Sequence, residues 1–364
     1  MVNDLEIRDI EDTDVEAAVS LHNDYYGEDR TAEQWLWEYK SNYRDLFVFN
    51  VAESGGRIIA TQGMIPIYVN IKGKRCLTGK SENSLVDPRH QGILFFKLYQ
   101  TAMSRCREKN IHCVWGYTRQ GLVWKKGLRF NVYDAIMSES VFVSNPFRAL
   151  PEVLARKWRT RFKIAVACSL LPACLYSHLR RVWASNLLRK GSRKKYVVED
   201  RLRRIGDLEE LYRRLRKIHP QLIHLDQDEN YLNWRIYKNP NVDYQTTFVY
   251  EGEMLRAYCY LSQNDKHTAF LTDFTFEEED AGAFLLRAVL QQCRKQRAGL
   301  VYFMGNSKNR LIATVLKLLQ GAGFVSKRSA EAFVLKNITY EDEEFLYDIR
   351  NWYVHGLWSE GYMI

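Results

Sequence analysis

The chain has 364 residues, 46% apolar and 27% charged, which is room for two cores and excludes a disordered chain. Its seven cysteines are odd in number and contain no Cys-x-x-Cys pair, a pattern of reduced, cytoplasmic thiols that argues against a disulfide framework and a zinc site. The net charge of +9 is local: between Pro151 and Lys195, 12 Lys or Arg stand against one acid, Glu152, so that stretch is +11 and the rest of the chain −2.

The charged opening of the chain is not expected to act as a signal peptide. Residues 14–25 read as an amphipathic helix, with Val15, Ala18, Val19 and the pair Leu21-His22 near one face. Thr31-x-x-Gln34 has the spacing of a capping box for an aromatic helix, Trp35-Leu36-Trp37-Glu38-Tyr39. An apolar strand at 46–51 and the turn Gly55-Gly56 follow. Two long strands, 57–69 and 75–86, are joined by the hairpin signal Lys72-Gly73-Lys74. Asp87-Pro88 breaks the second strand, and from Gly92 a helical stripe begins with Leu94, Leu98, Ala102 and Cys106. A short strand at 114–117, a helix and the turn Lys126-Gly127-Leu128 complete the first half.

Residues 148–196 read as a basic helical connector. Its apolar run, 164–176, contains Pro172 and is shorter than the roughly 20 residues that span a bilayer. A helical pair packed on the two domains is the plainer reading. A basic surface, residues 151–195, resting on an anionic membrane is the rival. No nucleic-acid motif accompanies the charge.

The second half repeats the first. Tyr231-Leu232-Asn233-Trp234-Arg235-Ile236-Tyr237 answers the aromatic helix, Gly252 answers Gly55, and Gly323 answers Gly127, at offsets of 198, 197 and 196. Near-constant offsets imply one ancestral unit used twice.

The informative segment is Lys80-Ser81-Glu82-Asn83-Ser84-Leu85-Val86-Asp87-Pro88-Arg89-His90-Gln91-Gly92-Ile93-Leu94. A helix start offers free N–H groups and a positive dipole end to an anion. Glycine at 92 lets a phosphate approach the backbone, and Arg89 adds a guanidinium that forks onto phosphate oxygens. Strand periodicity puts Lys80, Glu82, Ser84 and Val86 on one face.

This order of strand, Val-x-Pro, Arg-x-x-Gly, helix, strand, helix and Gly-containing turn resembles the GNAT superfamily of N-acetyltransferases. The family's acyl-CoA motif falls on Arg89, His90, Gln91, Gly92, Ile93 and Leu94; the first and fourth positions match, and Leu94 stands where Gly or Ala is usual. The resemblance implies an α+β protein with mixed sheets: two tandem GNAT-like domains, 1–147 and a degenerate 197–364, flanking the connector at 148–196. It implies acetyl-CoA as acyl donor and no metal. In that family the strand before the motif helix splays from its neighbour. Main-chain groups near Leu85 and Val86 would hold the thioester carbonyl there, with Tyr117 at the end of the next strand. Glu82 falls where members place a substrate-facing carboxylate and is assigned as general base, directly or through water; Tyr117 is the substitute for a missing tyrosine acid.

The equivalent turn of the second half reads Glu277-Glu278-Glu279-Asp280, and negative charge there opposes a diphosphate. Asp273 could reach the acceptor, a satisfied structural aspartate being the plainer reading, and the histidines show no metal pattern. The expected activity is acetyl transfer to a primary amine of a small metabolite or amino sugar, in the cytoplasm. The rivals are an aminoacyl or longer-chain acyltransferase of cell-envelope synthesis and a non-catalytic binding or scaffolding protein.

Overall fold

The computed structural model describes residues 5–43, 45–145, 195–264 and 267–359, with 148–149, 172 and 175. Most of the expected basic connector, including the surface proposed for a membrane, lies outside the described residues. Among the described residues no helix is long and apolar enough to cross a membrane.

The first half contains β1 (Leu5–Asp9), α1 (Val15–Tyr26), α2 (Ala32–Lys40), β2 (Val48–Ser54), β3 (Arg57–Ile71), β4 (Lys74–Val86), α3 (Ile93–Glu108), β5 (Cys113–Thr118), β6 (Asn131–Tyr133) and β7 (Met137–Val143). The second contains β8 (Val197–Glu199), α4 (Gly206–Ile218), β9 (His224–Leu225), α5 (Glu229–Leu232), β10 (Gln245–Glu251), β11 (Met254–Gln263), β12 (Thr268–Phe276), α6 (Glu279–Lys295), β13 (Leu300–Asn306), α7 (Arg310–Gly321), β14 (Val325–Arg328), β15 (Ala332–Asn337) and α8 (Glu343–Tyr347).

Local chemistry explains the boundaries. The capping box closes α2: the Thr31 hydroxyl accepts from Gln34 N at 3.2 Å, and Thr31 N donates to Gln34 Oε1 at 2.9 Å. Lys72 and Gly73 turn the β3–β4 hairpin with φ of 53° and 80°. Leu94, Leu98, Ala102 and Cys106 all face the core from α3. Helices α1 and α2 cover one face of the first sheet, packing Val15, Val19, Trp35 and Tyr39 on Phe49 and Ile65; α3 covers the other, packing on Val48, Met64 and Val114.

The sheets do not part where the chain halves do. In the first, strands run β1-β2-β3-β4-β5-β15-β6, with β9 added on β3; in the second, β14-β7-β13-β12-β11-β10-β8. Each half therefore lends its late strand to the other. Strand β15 lies between β5 and β6, pairing Phe333 with both Tyr117 and Tyr133. Strand β7 lies between β13 and β14, pairing Val141 with Tyr302 and Val325. The expected boundary at 147 therefore does not divide the sheets, because β7 belongs to the first half by sequence and to the second sheet by pairing. One apolar cluster accordingly runs through both units, from Val15 to Trp358.

Candidate active site

The parallel ladder between β4 and β5 is short. It pairs Thr78 with Cys113, Gly79 with Val114 and Lys80 with Trp115, then stops, although β4 continues to Val86 and β5 to Thr118. Beyond Lys80 the strands splay, leaving an edge of β4 without its ladder. The apex is tightly closed: a Cβ on Gly116 would sit 3.3 Å from the Ser81 carbonyl oxygen. Tyr99 closes the α3 side, its hydroxyl donating to Ser81 Oγ at 3.0 Å. Lys80 and Trp115, 2% and 0% exposed, fill the opposite side.

A bulge bends β4 within the splay. Thr61 pairs with Leu85 and Gly63 with Glu82, so Gln62 opposes two residues, Asn83 and Ser84. Asn83 takes φ of +49°, unusual for a non-glycine residue. The bulge corrects the strict alternation expected from sequence. Lys80 and Glu82 share the α1/α2 face, where they form an ion pair. After the extra residue, Ser84 and Val86 lie on the α3 face. The Ser84 hydroxyl donates to Gln62 Oε1 at 2.6 Å, the Gln62 amide reaches Ser81 Oγ at 3.2 Å, and Val86 packs with Leu94 and Leu98.

The turn after β4 is built around Asp87, whose carboxylate accepts from the Arg89 backbone N–H at 2.9 Å and from its guanidinium at 3.1 and 2.6 Å. Those bonds hold the Asp87 carboxyl well below the usual carboxylate range. The Arg89 side chain is otherwise exposed, and His90 Nδ1 stands 3.9 Å from the same carboxylate. Gly92 begins α3 with φ of +107°, a conformation L-residues rarely adopt. Gln91, Gly92 and Ile93 are exposed, so the first turn of α3 presents its amides to solvent at the mouth of the splay. The side chain of Leu94 is buried among Val86, Leu98 and Ala60, which keeps it out of that turn.

Tyr117 continues the α1/α2 face of β5. Its hydroxyl is buried and makes no hydrogen bond, and its ring packs edge-on against Phe333 of the lent strand β15 at 5.7 Å. Burial first, then the charges of Glu331 and Glu82, pushes its pKa well above that of an ordinary phenol. Glu82 and Tyr117 thus share one face, close enough for the carboxylate to act on the phenol, while Arg89, Gly92 and Ile93 lie exposed in the turn and helix start after β4; Leu85, Val86 and Leu94 are buried.

Sequence reasoning missed three contributions to this face: Lys80 as the partner of Glu82, Glu331 and Phe333 from the far half, and the anchoring of Asn83. The Lys80-x-Glu82 spacing was visible; the others depend on strand exchange and on a bulge without glycine.

The second unit has the same splay and fills it. Strands β12 and β13 pair in parallel only to Leu271 and Phe303. Asp273 then follows Leu271 by two residues, as Glu82 follows Lys80. The C-terminal segment enters the gap: His355 bridges to Gly305 of β13, its Nδ1 lies 3.2 Å from the Thr272 carbonyl of β12, and Asn306 N donates to Val354 O at 2.8 Å. A Cβ on Gly356 would meet the Thr272 carbonyl oxygen at 2.9 Å. Asp273 is wholly buried, accepting from Tyr258, Gln227 and Thr275 at 2.7 to 3.0 Å. In the acidic turn, Glu277 is paired with Arg214 and Arg256, and Glu278 lies within 4 Å of Arg256 and Lys195. Occlusion by the chain itself, more than the expected charge repulsion, closes this site.

A separate cavity of about 360 Å³ lies between the units, lined by Arg75, Glu209, Tyr212, His224, Asp226 and Asp228 among others. No residue of either splay lines it, and Arg75 takes both Asp226 and Asp228, at 2.9 and 2.5 Å. Among the described residues no group of three His, Cys, Asp or Glu side chains could hold a metal ion.

Residues 6–125 match the family model described as an acetyltransferase (GNAT) domain. The first unit is a GNAT domain. Solved structures extend the GNAT fold across both units. A probable N-acyltransferase from Enterococcus faecalis superposes with a TM-score of 0.62 at 7% identity, covering 92% of this chain and 73% of that one. A GCN5-related N-acetyltransferase from Kribbella flavida gives 0.59 at 12%, covering 92% and 71%. The N-myristoyltransferase of Saccharomyces cerevisiae, solved with myristoyl-CoA, gives 0.54 at 13%, covering 93% and 80%. No curated protein matches the sequence. The match over residues 6–125, with the fold shared across both units, supports acyl transfer as the general chemistry.

Proposed function

We propose that the first GNAT unit transfers acetyl from acetyl-CoA to a primary amine of a small metabolite or amino sugar, without a covalent enzyme intermediate. The observation that carries this reading is the contrast between the two splays. In the first the β4–β5 ladder ends at Lys80, a helix start and Arg89 follow β4, and Glu82 and Tyr117 share one face; the second is filled by residues 352–356.

In this reading the first turn of α3 and Arg89, once released from Asp87, take the diphosphate of the donor. Main-chain groups of the bulged strand polarise the thioester carbonyl. The acceptor's ammonium competes with Lys80 for Glu82, which takes its proton directly or through water. The amine nitrogen attacks the carbonyl carbon; as the C–S bond breaks, the second proton lost by that nitrogen passes to the departing thiolate, giving the amide and the free CoA thiol. Tyr117 stays neutral because of its burial, so it serves as a hydrogen-bond donor to the sulfur. The closed apex at Ser81 and Gly116 supports a short acyl group over the long chain that the yeast N-myristoyltransferase carries.

The test is a melting scan. At about 100 times its dissociation constant, acetyl-CoA should stabilise the chain by about 2.7 kcal/mol. Arg89→Glu should remove the shift, and product analysis against an amine library should show a gain of one acetyl group. A larger shift with long-chain acyl-CoA would favour the longer-chain reading. No shift with any acyl-CoA would favour a non-catalytic binding protein.

A further inference from the structure

The bulge that bends β4 is held from outside the strand. Asn83 sits at its crest with φ of +49°. A left-handed residue other than glycine is disfavoured by its Cβ, so it persists where its surroundings fix it. Three side chains do so. The His22 Nδ1–H of α1 faces Asn83 Oδ1 at 2.8 Å, Asn83 Nδ2 donates to the Tyr39 hydroxyl of α2 at 2.7 Å, and the Thr61 hydroxyl of β3 donates to the Asn83 carbonyl at 3.0 Å. His22 and Tyr39 are buried, at 4% and 0% exposure. The far ring nitrogen of His22 lies 3.0 Å from Glu28 Oε2, just past the end of α1. A line of polar contacts therefore runs from the segment between α1 and α2, through His22 and Asn83, to the strand edge that the splay exposes.

We infer that His22 is a positioning residue for acyl transfer: with Tyr39 it holds Asn83 left-handed, and so fixes the main chain at Ser84–Val86 that faces the acyl carbonyl. This rests on the proposed acetyltransferase reading. It goes further in making α1 and α2 part of the carbonyl-polarising apparatus, with Glu28 linking the α1–α2 segment to the bulge. A clamp on backbone geometry acts on the transition state, so its loss appears in kcat and leaves donor binding at the α3 turn intact.

The experiment has two arms on the full chain. In the first, amide hydrogen exchange is read across β4. His22→Ala should speed exchange at residues 83–86 by tenfold or more, while exchange in β12 stays unchanged; unchanged protection at 83–86 overturns the clamp whatever the enzyme does. In the second, His22→Ala should lower kcat about tenfold, with the acetyl-CoA KM within about twofold of the parent. Asn83→Gly relieves the backbone strain that the clamp opposes. Adding His22→Ala to Asn83→Gly should therefore cost little more, a non-additivity that simple packing loss would not give. Additive losses, or a loss confined to KM, overturn the positioning role. Altered exchange in a parent protein that turns over no acyl-CoA retains the clamp and overturns its catalytic meaning.

Discussion

The indole N–H of Trp37 donates to the Trp234 carbonyl at 3.2 Å, and the indole of Trp234 returns the bond to the Trp37 carbonyl at 3.0 Å. The rings lie 5.6 Å apart, and the residues stand 197 positions apart in sequence, inside the 196–198 offsets of the repeat. Reciprocal contacts between equivalent residues are the mark of a two-fold relation, here between the halves of one chain. Each bond satisfies a carbonyl in the buried seam between α2 and its counterpart. Replacing either tryptophan by phenylalanine should cost about 1 kcal/mol in urea unfolding. The double variant should cost less than the sum, because the two sites touch.

Strand exchange predicts that neither half folds alone. A fragment of residues 1–147 lacks β15, leaving Tyr117 and Tyr133 without their shared neighbour Phe333; residues 195–364 lack β7, which separates β13 from β14. Each fragment made separately should be insoluble or unfolded by circular dichroism. Made together they should associate and recover the thermal transition of a split but folded protein. Two independently folded fragments would contradict the exchange.

The filled second splay predicts one acetyl-CoA per chain in calorimetric titration. Opening that gap should cost stability and yield no second site. Gly356→Val would drive a side chain into the Thr272 carbonyl at a position where even a Cβ comes within 2.9 Å, so it should lower the melting temperature by several degrees with the stoichiometry still one.

Acid stability should reflect His224. Its ring is 1% exposed and stacks on Tyr212 at 3.9 Å; Nδ1–H donates to the Leu225 carbonyl at 2.8 Å, and Nε2 accepts from Arg216 at 2.8 Å. That tautomer is neutral, and burial, with Arg216 and His355 adding to it, pushes the pKa down to about 3. The unfolded chain takes up a proton near pH 6.5 that the folded chain refuses. Stability is therefore full above about pH 6.5 and falls as the pH drops toward 3. By pH 5 this group alone should cost about 2 kcal/mol. His355, shifted in the same direction by burial, adds to the slope. Denaturation midpoints at pH 7.5 and 5 should converge in His224→Gln.

Much of the architecture was legible because it is written locally. Thr31 and Gln34 announce α2, Lys72-Gly73 the hairpin, and Asp87-Pro88 followed by Gly92 the break before α3. The near-constant offsets pointed to one unit used twice, but not to the seam in which Trp37 meets Trp234. Two features had no local signature. The strands β7 and β15 carry the same apolar pattern whichever sheet they join, so their exchange is decided by the packing of two whole units. The bulge at Asn83 has no glycine to mark it, and the side chains that hold it, His22 and Tyr39, lie far off in sequence. That one extra residue is why Ser84 and Val86 left the face shared by Lys80 and Glu82.

Lending the final strand also has a hereditary consequence. A change at Phe333 is made in the gene segment of the second half, yet it is felt beside Tyr117 in the first. The second half is thereby not free to drift, whatever its own splay holds. It stays under tenancy to its twin for as long as the first half needs β15 to complete its sheet.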